Sequence, residues 1–173
     1  MSVTQRFVLI GCGSEKQDEK SPARELYTSV YAHKKRDFAE TVGDEYAIVS
    51  AKHRLLSPST EVEPYDSSVT AFSKRERAEW SERVVGEIHQ RDWEAVDELW
   101  VLMGSDYREF LLPKLRSQLD VDVYSPFEAT SGNGDQMGWI TEVVEEFEEG
   151  ETEALYGWMR DVDTEQVDIS SWG

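Results

Sequence analysis

The sequence predicts an α/β protein, a three-layer sandwich with a mainly parallel four-stranded sheet and helices on both faces. Three observations carry that expectation. Four short apolar runs, at residues 7–10, 46–49, 99–103 and 121–124, have the length and composition of buried strands. Segments with helical apolar spacing separate them, and strand alternating with helix implies parallel strands joined by crossovers. Each run also ends at a glycine or serine (Gly11, Ser50, Gly104 and Ser125) that opens a polar loop.

In chain order, Phe7-Val8-Leu9-Ile10 is closed by Gly11, and the loop to Lys20 is polar. Ser21-Pro22 has the form of a helix start, an N-cap serine with proline at the first helical position. Leu26, Tyr27, Val30, Tyr31, Phe38 and Val42 keep helical spacing to Gly43, with a break expected near Thr28-Ser29. Tyr46-Ala47-Ile48-Val49 is the second strand, and residues 58–66, rich in proline and acid, form an ordered excursion. Ser73-Lys74-Arg75-Glu76 fits a capping box and opens a helix with Trp80, Val84 and Ile88 inward. Ser105 caps the next helix, which presents Tyr107, Phe110, Leu111, Leu115 and Leu119. A last helix follows the Gly132/Gly134 loop from about Gln136 to Glu149. Residues 1–150 make a single domain. Residues 151–173 are an acidic C-terminal extension, expected to pack on it through Leu155, Tyr156, Trp158, Met159 and Trp172.

Composition bounds the function. A chain of 173 residues supports one sizeable core, and no run is long and apolar enough to span a bilayer. The N-terminal apolar run is too short for a secretory h-region, and the single cysteine suits a reducing cytoplasm, so a cytoplasmic location is expected. Net charge is −18, which fits an acidic surface that keeps a protein soluble at high salt, as in halophiles, with a surface that avoids or mimics nucleic acid as the alternative. The charge is uneven. Residues 1–56 hold 9 Lys/Arg against 8 Asp/Glu, whereas residues 57–173 hold 9 against 28. Cations kept in one region of so acidic a chain suggest an anionic ligand there, unless Lys34-Lys35-Arg36 are simply a solvated helix face.

Ligands of parallel sheets bind beyond the carboxyl ends of the strands, so the four outgoing loops should build any site. The first is Gly11-Cys12-Gly13-Ser14-Glu15-Lys16. It lacks the Gly-Lys-Ser/Thr ending of a Walker loop, and Lys16 stands where the dinucleotide fingerprint has its third glycine. What remains is a close backbone approach to a ligand through Gly11 and Gly13, with Lys16 to hold an anion or, if desolvated, to react. Cys12 is a nucleophile only if a base lowers its pKa, and it equally fits a small residue packed at a strand end.

The second loop, Ser50-Ala51-Lys52-His53-Arg54-Leu55-Leu56, holds a hydroxyl, two cations and a histidine able to act as acid or base. No Gly-x-Ser-x-Gly elbow is present, which disfavours a serine hydrolase. Tyr65-Asp66 adds a ring to stack on a base and a carboxylate to take a proton. Gly104 opens the third loop, and Gln136 can read the edge of a planar ligand. No metal-ligand spacing links Cys12 with His33, His53 and His89, so neither metal nor cofactor is expected.

Together, the Gly-Cys-Gly-x-x-Lys strand end, Ala23-Arg24-Glu25-Leu26-Tyr27, Ser50-Ala51-Lys52-His53 with Leu55-Leu56, and Pro64-Tyr65-Asp66 resemble a prokaryotic and phage family known only as a domain of unknown function. That family commonly has glycine where this chain has Arg54. More remotely, Ser50-Ala51, Leu55-Leu56 and Pro64-Tyr65 are similar to the YaaA-like peroxide-stress proteins, which are associated with DNA binding. Cys12, Lys16 and Tyr65-Asp66 look like the core domain of archaeosine synthase, whose fold is akin to uracil-DNA glycosylases. That likeness implies a functional lysine at Lys16.

The expectation is a protein that binds, and at most processes, a nucleobase, nucleotide or modified nucleoside by a glycosylase- or transglycosylase-like step. Lys16, His53 and Asp66 are its candidate catalytic residues. Gly11, Cys12, Gly13, Ser14, Ser50, Lys52, Arg54, Tyr65, Gly104 and Gln136 are its candidate ligand contacts. The alternative is a non-catalytic, stress-related or nucleic-acid-associated binding module using the same cleft. Nucleic acid itself is not indicated by the charge, which lacks a basic stripe.

Overall fold

The computed structural model describes residues 3–159. Its strands and helices run β1 (Arg6–Gly11), β2 (Ser21–Pro22), α1 (Ala23–Leu26), α2 (Val30–Val42), β3 (Glu45–Ser50), β4 (Arg54–Leu56), β5 (Glu61–Val62), α3 (Lys74–His89), β6 (Glu98–Leu102), α4 (Ser105–Gln118), β7 (Asp122–Tyr124) and α5 (Asn133–Glu148). The main sheet has the order β4-β3-β1-β6-β7, and β2 pairs with β5 apart from it. Pairings β1–β3, β1–β6 and β6–β7 are parallel.

The sheet therefore has five strands rather than the expected four. The extra one, β4, turns back along β3 in antiparallel register, Ser50 facing Arg54 and Ile48 facing Leu56. The reversal takes three residues, 51–53, and closes on Arg54, the one non-glycine residue of positive φ among those described, at 61°. The resemblance places glycine here. Arginine adopts the left-handed turn that glycine reaches freely, at a cost of about 1–2 kcal/mol.

Alternation along the strands divides the core in two. Val8, Ile10, Ile48, Trp100 and Leu102 face α2 and α5 through Phe38, Val42, Ile140 and Val143. Phe7, Leu9, Val49, Leu99 and Val101 face α3 and α4 through Val84, Ile88, Leu111 and Leu115. Chain order reverses between β1 and β6, since the crossover from β1 leads to β3 on one side while β6 lies on the other. In doubly wound sheets such a reversal is the switch point at which ligands are taken.

Three helix starts differ from expectation, one of them α4, where Gly104 rather than Ser105 stands at the N-cap and no side chain caps the helix. Ser21-Pro22 forms a strand instead of a cap, and Ser21 Oγ donates to the Glu19 carbonyl. The break near Thr28-Ser29 is real: Ser29 caps α2 by accepting from Ala32 N–H. The last helix begins at Asn133, three residues before Gln136. The Ser73/Glu76 capping box forms as read. Residues 153–159 are helical and bury Leu155, and Tyr156 donates to Glu98 while accepting from Arg6. Trp172 lies outside the described residues.

Candidate functional site

The loop leaving β1 is fixed by its own backbone. Cys12 N–H extends the β1–β3 ladder to the Val49 carbonyl, and Gln17 and Thr28 N–H groups tie residues 15–17 to the end of α1. Lys16 thereby bridges to Tyr27 in antiparallel fashion. Gly11 is needed for packing: a Cβ there would lie 2.8 Å from Met103 Cβ on the neighbouring chain segment. The close approach that the sequence assigned to a ligand is filled by the protein. Gly13, with only Ser29 Oγ and Ala32 Cβ near such an atom, has no comparable crowding.

Beside this loop lies a hydroxyl chain. Tyr65 is 9% exposed, and its OH is 2.6 Å from both Tyr27 OH and Ser50 Oγ. Ser50 Oγ also accepts from the N–H groups of Lys52 and His53, shaping the β3–β4 turn, and Ser50 carbonyl accepts from Trp80 Nε1. Burial first, then the nearby Cys12 sulfur and Tyr27, push the Tyr65 phenol far above its ordinary range. Tyr65 is thus a neutral, fixed ring. Lys16 Nζ stands 4.3 Å from its centroid and Lys52 Nζ 6.0 Å, while the His53 ring meets it edge-on at 5.2 Å. This ring is a platform for ammonium groups more than a free stacking face. His53 is lowered by burial and by Lys52 and Arg54, so its neutral form is favoured.

The remaining sequence candidates divide. Ser14 is exposed, and its carbonyl accepts weakly from Lys16 Nζ at 3.4 Å. Asp66 is exposed and makes no side-chain hydrogen bond among the described residues. Arg54 Nε is paired with Glu87 on α3 at 3.0 Å. Gly104 caps α4 with no side chain, and its surroundings are open. Gln136 is buried and accepts from Tyr31 OH.

Several residues that sequence reasoning passed over complete the site. Tyr27, Tyr31 and Tyr107 were read as apolar helix positions, yet their hydroxyls face the strand ends. Tyr107 OH is 2.9 Å from Cys12 Sγ, and its phenol is pushed well up by burial and the same sulfur. Lys35, for which the sequence leaves a solvated helix face as the alternative to an anion contact, is 4% exposed. Helical rotation separates the three cations: Lys34 donates to Thr141 on α5, Arg36 to the Arg24 carbonyl, and Lys35 to the Gly11 carbonyl at 2.8 Å. Helical side chains lean toward the N-terminus, which carries Lys35 back to the strand end. Its signal was legible, because Lys35 lies four residues after Tyr31 and three before Phe38 on one face. Burial lowers its pKa from 10.5 to about 8.

The described ion pairs employ Arg6, Arg54, Arg75, Arg91, Lys114 and Arg116. Lys16, Lys35, Lys52 and Arg108 have no carboxylate partner among the described residues, although the chain holds 36 acidic residues. A groove of about 720 Å³ lies elsewhere, between α5 and residues 153–158, and is lined by Asp135, Glu142, Glu146 and Glu153. No cluster of three or more potential metal ligands occurs among the described residues, and none of their helices is long and apolar enough to cross a membrane.

A mainly parallel α/β domain with an unpaired cationic cluster at its strand ends is the class of protein defined by this geometry. The chain belongs to the family of unknown function DUF6884, whose model matches residues 7–142. It is also similar to the uncharacterized protein YfjM of Bacillus subtilis (strain 168), 27% identical over 149 residues covering 82% of this chain and 97% of that protein. No solved structure matches.

Proposed function

We propose that the protein binds a nucleobase-, nucleotide- or nucleoside-like ligand at the carboxyl ends of β1 and β3 and acts on it by a glycosylase- or transglycosylase-like step. One observation carries this reading. Lys16 and Lys52 converge on the Tyr65 ring without a carboxylate partner among the described residues, in a chain of net charge −18. An unpaired ammonium held over a neutral aromatic platform is prepared for an electron-rich or anionic ligand. His53, held toward its neutral form beside the same ring, supplies a proton acceptor. Asp66, exposed in the adjoining loop, is the second acid–base candidate. The likeness of Cys12, Lys16 and Tyr65-Asp66 to the archaeosine synthase core supports a step at a base or its glycosidic bond. The three-layer arrangement and a cytoplasmic location fit the same reading, as does an acidic surface suited to high salt.

A binding module without catalysis is the second reading, favoured by Asp66 standing exposed and unbonded among the described residues. A thermal-shift screen of bases, nucleosides and nucleotides in molar KCl, repeated with Lys16→Ala and Asp66→Asn, separates the two. Hits whose binding and turnover neither substitution alters would overturn the site. Turnover of a nucleoside that both substitutions abolish, with affinity retained, establishes the enzyme over the module.

A further inference from the structure

The hydroxyls of Ser50, Tyr65 and Tyr27 carry one proton more than they use among themselves. Tyr65 OH lies 2.6 Å from Ser50 Oγ on one side and 2.6 Å from Tyr27 OH on the other, so three hydroxyl protons serve two links. The other bonds of Ser50 decide where the surplus falls. Its oxygen accepts from Lys52 N–H at 3.2 Å and from His53 N–H at 3.1 Å, which fills both lone pairs of a serine hydroxyl. Ser50 therefore donates to Tyr65, and the surplus proton belongs to a phenol, Tyr27 or Tyr65. Neither phenol has a further acceptor among the described residues. Tyr27 is 5% exposed and Tyr65 9%, and an O–H so deeply placed is costly until an acceptor completes it.

The same two rings carry Lys16. Its Nζ is 4.3 Å from the Tyr65 centroid and 5.8 Å from the Tyr27 centroid. The backbone sets that position: Lys16 bridges to Tyr27, Gln17 N–H donates to the Leu26 carbonyl, and Thr28 N–H donates to the Glu15 carbonyl. The ammonium makes one long bond, to the Ser14 carbonyl at 3.4 Å, and meets no carboxylate among the described residues. Three N–H groups against one long bond leave it with donors to spare. His53, edge-on to Tyr65, is the member of the cluster able to accept. On the Lys16 side there are only donors.

We infer that Lys16 and the surplus phenolic proton of the Tyr27–Tyr65 pair form a donor-only subsite, which takes one acceptor oxygen of the ligand, a carbonyl or phosphate oxygen, and turns away an amino group. An oxygen there completes the phenol and the ammonium together, whereas an amino group sets further N–H donors against them. Ser50 is a positioning residue, since its two backbone bonds direct the surplus to the phenols. The assignment rests on the proposed nucleoside-type ligand and names the atom of it that is recognised.

Four probes are titrated into the full chain by calorimetry at constant ionic strength: adenosine, inosine, adenosine 5′-monophosphate and inorganic phosphate. Inosine carries a carbonyl where adenosine has its amino group, and the monophosphate adds phosphate oxygens alone. The expected result is that inosine or the monophosphate binds roughly 10-fold or more tighter than adenosine, and which of the two does so identifies the oxygen. Lys16→Met should weaken the preferred probe roughly 10- to 100-fold and Tyr27→Phe about 3- to 10-fold, as expected for charge-assisted and neutral hydrogen bonds. Both should shrink the preference over adenosine, whereas a merely structural effect weakens every probe alike. Lys16→Arg, which keeps the charge, should retain part of the preference, and circular dichroism confirms folding of each variant. Nucleosides bound without preference, or with a preference that survives Lys16→Met and Tyr27→Phe, overturn the subsite and leave the nucleoside reading intact. Inorganic phosphate bound through Lys16 and Tyr27, with no nucleoside or nucleotide bound, keeps the subsite and removes the nucleoside. Failure of all four probes to bind overturns the subsite.

Discussion

Lys35 on α2 gives its ammonium to the carbonyl of Gly11 at 2.8 Å, at the point where β1 ends and the sheet reverses order. A buried lysine with a single neutral acceptor is a cost to folding, so its presence calls for a measurable consequence.

Replacing Lys35 by methionine should raise stability, with the largest gain at neutral pH and below. Burial lowers the folded-state pKa from 10.5 to about 8. Between those values the unfolded chain holds a proton that the folded chain has released, so wild-type stability rises with pH. Below about 8 the full penalty stands, at most about 3 kcal/mol. Buried phenols act in the opposite sense once unfolded tyrosines ionise near 10, because burial raises Tyr27 and Tyr31 to about 12. Urea denaturation from pH 7 to 10 should show the wild type gaining on Lys35→Met, and a constant difference would refute the assignment.

Gly11→Ala should destabilise by about 1–3 kcal/mol, the usual range for overpacking. The new Cβ would sit 2.8 Å from Met103 Cβ, and both belong to segments pinned by the sheet. Gly104→Ala, with open surroundings, serves as the comparison and should cost less, about 0.5–1 kcal/mol, because alanine is a poorer N-cap than glycine.

Tyr65→Phe removes the hydroxyl shared by Tyr27 and Ser50 and should cost about 1–3 kcal/mol. Ser50→Ala should cost a similar amount, since it also releases the Lys52 and His53 N–H groups. The double variant should be less damaging than the sum, because both changes break the same bond. Strict additivity in a denaturation cycle would show that the two hydroxyls do not interact.

At Arg54, glycine and valine should diverge. Arg54→Gly relieves the left-handed backbone at φ 61° but loses the Glu87 pair, an exposed contact worth about 0–1 kcal/mol, so its net effect is small. Arg54→Val keeps the strain and adds β-branching, and should lose about 1–3 kcal/mol. Equal denaturation midpoints for the two variants would mean that the turn is free to relax.

Much of the fold was written in local patterns. The apolar runs at β1, β3 and β6, the Ser73/Glu76 capping box and the break before α2 all depend on neighbours within one turn or one strand. The β4 strand was not legible, because its reversal depends on Arg54 holding a conformation that sequence assigns to glycine. Of the candidate site, Lys16, Lys52, His53, Ser50 and Tyr65 converge because two strand-exit loops and the 58–66 excursion meet over α1. Arg54 belongs to the same heptapeptide, yet its side chain turns to Glu87 on α3.

The sequence by itself determined the strand–helix alternation, the end of the sheet where polar loops gather, and the excess of cations in the first third of the chain. Each follows from residue type and spacing. Only the tertiary structure decided which cations lie without a partner. Lys35 and Lys34 are adjacent in sequence, but helical rotation and packing send one into the switch point and the other to Thr141. Cys12 and Tyr107 lie 95 residues apart, and their 2.9 Å contact exists only because the strand order sets β1 beside β6. Desolvation depends on everything packed around a group, and no local pattern records that.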